Sequence, residues 1–292
     1  MKKVSVIIVS YNNYEILKEC LNSIILHNDI GNQLEIIVSD NSPTPFVVEH
    51  LNIDFPQIKI IKNNNIGFGA GNNKGFEISK GEFILFLNPD TIIVEPIFKF
   101  VIETFEKNEK LALFGVQLID KKNKKNDSFF LMDDNRLFKK ICFKIFEHFD
   151  YYIDSKMYIS GANIFVRRKC FEEAGKFDEN MFMYYEEPDL IKRIKLKCSC
   201  NKTAFFKEKK IIHLEGGTEQ ATSKSMINKI SRNLNTYKYY CEKWNIDFEK
   251  NIEYLMNYER IKYYIYKVLK NKGKSDFSKE LINLYVGYKV DK

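Results

Sequence analysis

"FILFLNPDTII", residues 83 to 93, decides the fold. Phe83 to Leu87 run apolar or aromatic without a polar break, and the run stops at Asn88, Pro89 and Asp90. A strand with one wet face would alternate, so an unbroken run belongs to a strand covered on both faces, as in parallel sheets flanked by helices. Val4 to Val9, Leu34 to Val38 and Ile58 to Ile61 have the same character. The intervening segments read as helices. Tyr14, Leu17, Leu21, Ile24 and Ile25 follow helical spacing, and Phe76 to Ser79 closes a short helix stopped by Gly81. This alternation predicts an α/β fold, in which ligands bind at the carboxyl ends of the strands. Four polar loops follow those ends: Ser10 to Asn13, Asp40 to Pro43, Asn63 to Asn73, and Asn88 to Asp90.

Further along, strand character returns over Glu109 to Ile119 and Tyr158 to Val166. Phe182 to Lys197 reads as a loop entering a helix, and Ala204 to His213 as two short strands split by charge. Residues 121–150 mix Lys-rich and Phe-rich patches and read as a variable insertion. Beyond Gly216-Gly217 the pattern is helical, with breaks near Asn245 and Gly273. The expected division is a domain over 1–218 and a basic helical extension over 219–292.

Composition narrows the class. Of 292 residues, 45% are apolar and 29% charged, a globular balance. No apolar run reaches the roughly 18 residues needed to span a bilayer, and a cytoplasmic location is expected. Cys20, Cys142, Cys170, Cys198, Cys200 and Cys241 are scattered and contain no C-x-x-C pair, so they read as thiols with neither disulfide nor zinc. The charge is uneven. From Ala221 onward there are 15 Lys and Arg against 8 Asp and Glu, whereas the first 220 residues hold 31 of each, so the whole +7 lies in the last quarter. Such asymmetry points to an anionic surface.

The loops carry the chemistry. Gly67-Phe68-Gly69-Ala70-Gly71 fails the dinucleotide fingerprint, because Asn72 or Lys74 falls where the last Gly belongs. It still suits a close backbone approach to a phosphorylated ligand. Asp90 after Pro89 is either a turn residue or one carboxylate for a divalent ion. Glu186, Glu187 and Asp189 open a helix, where acids complement the helix dipole; a carboxylate there can also take a proton from a hydroxyl, and Asp189 reads as a cap. His213 ends a strand and suits a metal site or a structural role.

Together these stretches resemble a family. "VSVIIVSYNNYEILKECLNSI", "IIVSDNSP", "NNNIGFGAGNNKGFEISKGEFILFLNPDT", "SGANIFVRRKCFEEAGKFDENMFMYYEEPDLIKRIK" and "HLEGGT" follow, over about residues 4 to 218, the order of an inverting family 2 glycosyltransferase. The rhamnosyltransferase-like branch is the most similar. The resemblance implies the GT-A nucleotide-diphospho-sugar transferase fold, an α/β architecture with a mostly parallel central sheet flanked by helices, here with a C-terminal helical extension. It implies that Ser10, Tyr11, Asn12, Asp40, Asn41, Gly67, Asn72, Asn73 and Asn88 lie at the donor nucleotide. Asp90 matches the last position of the family's D-x-D motif, whose first position here is Asn88; with His213 it would hold Mg²⁺ or Mn²⁺. Glu187 stands where relatives usually have Asp as general base, and Glu186 is its rival.

The implied partners are a nucleotide-sugar donor and a saccharide or lipid-linked saccharide acceptor, in bacterial surface polysaccharide synthesis. The basic, Tyr-rich segment "YERIKYYIYKVLK" (258–270) suits peripheral contact with an anionic membrane or, equally, a packed helical cap. Nucleic acid is not expected, since no reading motif accompanies the basic excess. A nucleotidyltransferase would need a Gly-rich basic loop after the first strand, which Ser10-Tyr11-Asn12-Asn13 does not provide. A catalytically degenerate nucleotide-sugar-binding or scaffold protein is the remaining alternative.

Overall fold

The computed structural model describes residues 2–132, 143, 146–214 and 223–290. Cys142, and Glu215 to Thr218 of the last family stretch, lie outside the described residues. Two compact units divide the chain. One comprises Met1–Phe130 and Asp150–Gly217; the other comprises Leu131–Phe149 and Thr218–Lys292.

In the first unit, strands Val4–Ser10 (β1), Leu34–Asp40 (β2), Lys59–Lys62 (β3) and Phe83–Leu87 (β4) are separated by helices Tyr14–Leu26 (α1), Phe46–Asp54 (α2) and Phe68–Ile78 (α3). Then come Thr91–Ile93 (β5), Phe98–Lys107 (α4), Leu111–Ile119 (β6), Phe129–Leu131 (β7), Met157–Ile159 (β8), Asn163–Arg167 (β9), Arg168–Ala174 (α5), Glu186–Lys197 (α6) and Lys202–His213 (β10). The main sheet runs β3-β2-β1-β4-β9-β6-β10-β5. Pairs β1–β2, β2–β3, β1–β4 and β6–β10 are parallel, while β9 is antiparallel to both β4 and β6, and β5 is antiparallel to β10.

That topology gathers many loops on one edge. The carboxyl ends of β1 to β4, β6 and β10 meet there the amino ends of β9 and β5, because Leu87 pairs with Asn163 and His213 with Thr91. Burial explains the strands. Every residue of β1, β2, β4 and β6 is buried, as two-sided cover requires. Phe83 stacks on Phe105 at 4.7 Å between ring centroids, and Phe86 meets Phe171 and Phe177 on the other face at 4.8 and 5.0 Å. Each such ring removed from water contributes about 1.5–3 kcal/mol.

Three expectations are corrected. Tyr158 to Val166 is not one strand, because Ser160 to Ala162 turn between β8 and β9. Ala204 to His213 is not two strands; β10 continues through its charged centre with a register shift between Phe206 and Lys210 that absorbs the extra residues. The cysteines are not all thiols. Cys170 and Cys200 form a disulfide, since α5 and the turn before β10 bring their Cα atoms to 6.7 Å; Cys20, Cys198 and Cys241 are buried.

The second unit contains helices Ser223–Lys243 (α7), Phe248–Val268 (α8) and Lys272–Val290 (α9). Leu234, Ile252, Met256, Leu281 and Tyr285 form its core. Asp247 caps α8, its Oδ1 accepting the Lys250 N–H at 2.9 Å. Among the described residues, no helix is long and apolar enough to cross a membrane.

Candidate active site

The turn after β4 resolves what Asp90 does. Asn88 donates its N–H to Ala162 O at 3.1 Å, and its carbonyl accepts the Thr91 hydroxyl at 2.7 Å. Thr91 therefore closes the turn with its side chain. The Asp90 carbonyl accepts the Leu214 N–H at 2.9 Å, which ties it to the end of β10, and Asp90 Oδ1 lies 3.3 Å from His213 Nε2. An oxygen and an imidazole nitrogen side by side fit Mg²⁺ or Mn²⁺, which takes phosphate oxygens and water at its other positions. Among the described residues there is no cluster of three or more His, Cys, Asp or Glu that could hold a metal.

Across the β4–β9 pairing stands the start of α6. Tyr184 and Tyr185 are left-handed, with φ of 70° and 69°. Two non-glycine residues in that region store on the order of 1–3 kcal/mol each. The kink sets Glu186 and Glu187 in the first turn of α6. Glu186 is 2% exposed and its Oε2 has no hydrogen-bond partner. Burial, then the adjacent Glu187, push its carboxyl well above the usual carboxylate range. Glu187 is half-buried. Burial pushes it up to about 7, against the opposing pull of its own N–H and that of Gly161. The contact with Gly161 is close: a Cβ there would stand 2.1 Å from Glu187 Oε1.

These contacts join the two halves of the site. Glu187 lies against Gly161; the next residue, Ala162, bonds Asn88; and Asn88 is two residues from Asp90. Buried clamps hold α6 there. Arg193 donates to Asp189 Oδ2 at 2.8 Å from Nε, and to the carbonyls of Ala174 and Lys176 at 2.6 and 2.5 Å. Phe177, the next residue, exchanges both backbone bonds with the Asn73 amide at 2.9 and 3.0 Å.

The donor-side loops are built mostly from buried polar groups. Asp40 accepts the Ser42 hydroxyl at 2.5 Å and the Lys62 ammonium at 3.0 Å. Asn41 Nδ2 donates to Gly67 O at 3.0 Å, Asn72 Nδ2 to Phe68 O at 3.1 Å, and Ser10 Oγ to Asn13 Oδ1 at 3.1 Å. Asn73 is spent on Phe177. All five side chains are buried, whereas Tyr11 and Asn12 are exposed and Asn88 half-buried. Gly67, at φ 93°, has Phe182 O where a Cβ would be, 2.4 Å away, so this turn admits only glycine.

Sequence reasoning missed Gly161, Arg193 and the two left-handed tyrosines. A glycine heading the Ser160-Gly161-Ala162 turn was the available signal for the first.

The burial of Glu186, with Oε2 unpartnered, makes stability pH-dependent. Its folded carboxyl holds a proton at pH values where the unfolded one, near 4.3, has lost it, so stability falls as pH rises above that value. Glu186→Gln removes the cost. Its Tm is expected to exceed that of the parent by about 2–4 °C or more at pH 8 and not at pH 4.5, measured by calorimetry.

The model of the family described as "Glycosyl transferase family 2" matches residues 5–211. The chain is 33% identical over 135 residues to the GalNAc(5)-diNAcBac-PP-undecaprenol beta-1,3-glucosyltransferase of Campylobacter jejuni, covering 44% of this chain and 42% of that protein. It spans less than half the length of the curated relatives it matches. Its fold is similar to that of the mannosyltransferase PcManGT from Pyrobaculum calidifontis, solved with GDP-Man and Mn²⁺ (TM-score 0.58, 12% identity, 82% of this chain and 64% of that one). GalNAc-T7 with UDP, GalNAc and Mn²⁺ is similar too (TM-score 0.60, 16% identity, 89% and 51%). Both likenesses establish the shared fold.

Proposed function

We propose that this chain, which belongs to glycosyl transferase family 2, moves a sugar from a nucleotide-diphospho-sugar to a saccharide hydroxyl with inversion at the anomeric carbon. One observation carries the reading. The carboxylate of Glu187 and the Asp90–His213 pair share the sheet edge, linked through Gly161, Ala162 and Asn88. Glu187 takes the proton of the acceptor hydroxyl as that oxygen bonds the anomeric carbon and the bond to the diphosphate breaks. A base that ionises at about 7 is matched to this task at neutral pH. Glu186 is closed off from solvent, so the half-buried Glu187 is the base. Tyr11 and Asn12 face the nucleotide, on loops shaped by Ser10, Asp40, Asn41, Gly67, Asn72 and Asn73. Mg²⁺ or Mn²⁺, held by Asp90 and His213, would neutralise charge on the departing nucleoside diphosphate.

The acceptor is a saccharide on a lipid carrier, as the name of the Campylobacter relative states for that protein, and the chain meets the membrane peripherally in the assembly of a bacterial polysaccharide. The test is release of nucleoside diphosphate from a panel of UDP-, GDP- and dTDP-sugars with Mn²⁺. Turnover of one donor supports transfer; binding of nucleoside diphosphate without turnover of any donor leaves a degenerate binding protein.

Gly161→Ala checks the base geometry. Its methyl group would displace the Glu187 carboxylate from the Gly161 N–H, and a misplacement of about 1 Å costs roughly 10²-fold in kcat. The acid limb of the pH–rate profile is expected to move above 7 as well, because the contact that lowers the Glu187 pKa is lost.

A further inference from the structure

We infer that the outer face of α8 is a docking surface for an anionic lipid bilayer. On a helix, successive residues turn by about 100°. Ile252, Met256 and Glu259 point one way and are buried. Tyr254, Tyr258, Ile261, Tyr264, Ile265 and Val268 fall on the opposite side and are exposed, rising to 65% at Tyr264 and 81% at Val268; Leu269, just past the helix, continues the row at 68%. They share roughly 140° of arc. A helix with this much exposed apolar and aromatic surface on one face and a packed core on the other has two apolar sides, and the second unit covers only one of them.

The surrounding charge identifies the occupant. Arg260 and Lys267 flank the row on one side and Lys262 on the other, and Lys270, Lys272 and Lys274 follow directly. From residue 260 to residue 275 there are six cations and no acid. A second copy seated on the same face would bring an equal set of cations against these, which opposes self-association. Anionic headgroups meet them favourably, each Lys or Arg near such a surface adding to the attraction. Tyrosine is suited to the headgroup level, its ring in the acyl boundary and its hydroxyl in water. The Lys262 ammonium lies 5.2 Å from the centroid of the Tyr258 ring and is paired with Glu259 at 2.7 Å, and the Lys267 ammonium lies 5.5 Å from the centroid of the Tyr263 ring, so both cations sit at the edge of the row. An apolar row bordered by cations is the pattern of helices that lie in a bilayer interface.

The proposal deepens the peripheral membrane contact given above, and its test needs no turnover. The full chain is sedimented with phosphatidylcholine vesicles, with and without phosphatidylglycerol. Two variants accompany it: Tyr264→Ser/Ile265→Ser/Val268→Ser, which removes exposed apolar groups, and Lys267→Glu/Lys270→Glu/Lys274→Glu, which reverses exposed charge. The parent is expected to bind the anionic vesicles at least about tenfold more tightly than the neutral ones, and each variant to lose about tenfold or more. Failure of the parent to bind anionic vesicles, or full binding by either variant, overturns the proposal. A dimer seen by light scattering that the serine variant dissolves, with no vesicle binding by the parent, assigns the face to a second copy. Donor turnover without vesicle binding would overturn this proposal alone, while vesicle binding without turnover would leave it standing and count against sugar transfer.

Discussion

Glu187→Gln is expected to lower kcat by roughly 10²–10⁴-fold while leaving donor affinity within about twofold of the parent. The substitution keeps the shape of the side chain and its contact with Gly161, and it removes only the capacity to accept a proton. In the parent, turnover should rise with pH through about 7, since the carboxyl that burial holds there must ionise before it can act. In the variant that limb should vanish. Turnover against pH, with donor affinity by calorimetry, checks both. Glu186→Gln is the control: its side chain is enclosed, so transfer should stay within a few fold of the parent. Undiminished transfer by Glu187→Gln contradicts the base assignment, and loss confined to Glu186→Gln would move the role to its neighbour.

Asp90→Ala carries the second large effect. Asp90 is not needed to close its own turn, because the Thr91 hydroxyl bonds the Asn88 carbonyl and the Asp90 backbone is held by Leu214. Removal of the carboxylate should therefore spare the fold. A lost charge contact to the leaving group is expected to cost about 10²–10³-fold in turnover. The more specific readout is linkage: Mn²⁺ should tighten nucleoside diphosphate binding by about tenfold or more in the parent and by far less in the variant, measured by titration with and without the metal. Equal metal dependence in both proteins contradicts the assignment.

The sheet was legible because its central strands are buried on both faces. That condition writes continuous apolar runs into the chain, and β1, β2 and β4 were readable from them alone. The antiparallel elements were not. Ser160 to Ala162 break the pattern between Ile159 and Ile164 with small residues only, and Gly161 was the one signal of the turn between β8 and β9. Lys207, Glu208 and Lys209 look like a strand boundary until the partner strand shows that they fill a bulge. The disulfide was missed because compartment and spacing speak to how often such bonds form, whereas Cys170 and Cys200 are brought together by tertiary packing.

The candidate site was legible as a set of loops and less so as a set of side chains. Asp90 and His213 were nameable from their strand ends, and β5 pairing with β10 is what makes them neighbours. Asn73 reads as a donor in sequence, yet its amide is consumed by the Phe177 backbone. Gly161 acts through the side chain it lacks, which no count of functional groups can reveal. Arg193 looked like one cation among many on α6 until its bonds to Asp189, Ala174 and Lys176 placed it as the clamp of that helix.

The most direct measurement is a crystal structure of the protein with Mn²⁺ and the nucleoside diphosphate of its donor, the metal located by anomalous scattering. The account predicts Mn²⁺ on the Asp90 carboxylate, with the diphosphate bridging it and its terminal phosphate facing Glu187 across Gly161. A nucleotide bound away from this edge, or a metal that leaves Asp90 untouched, would contradict it.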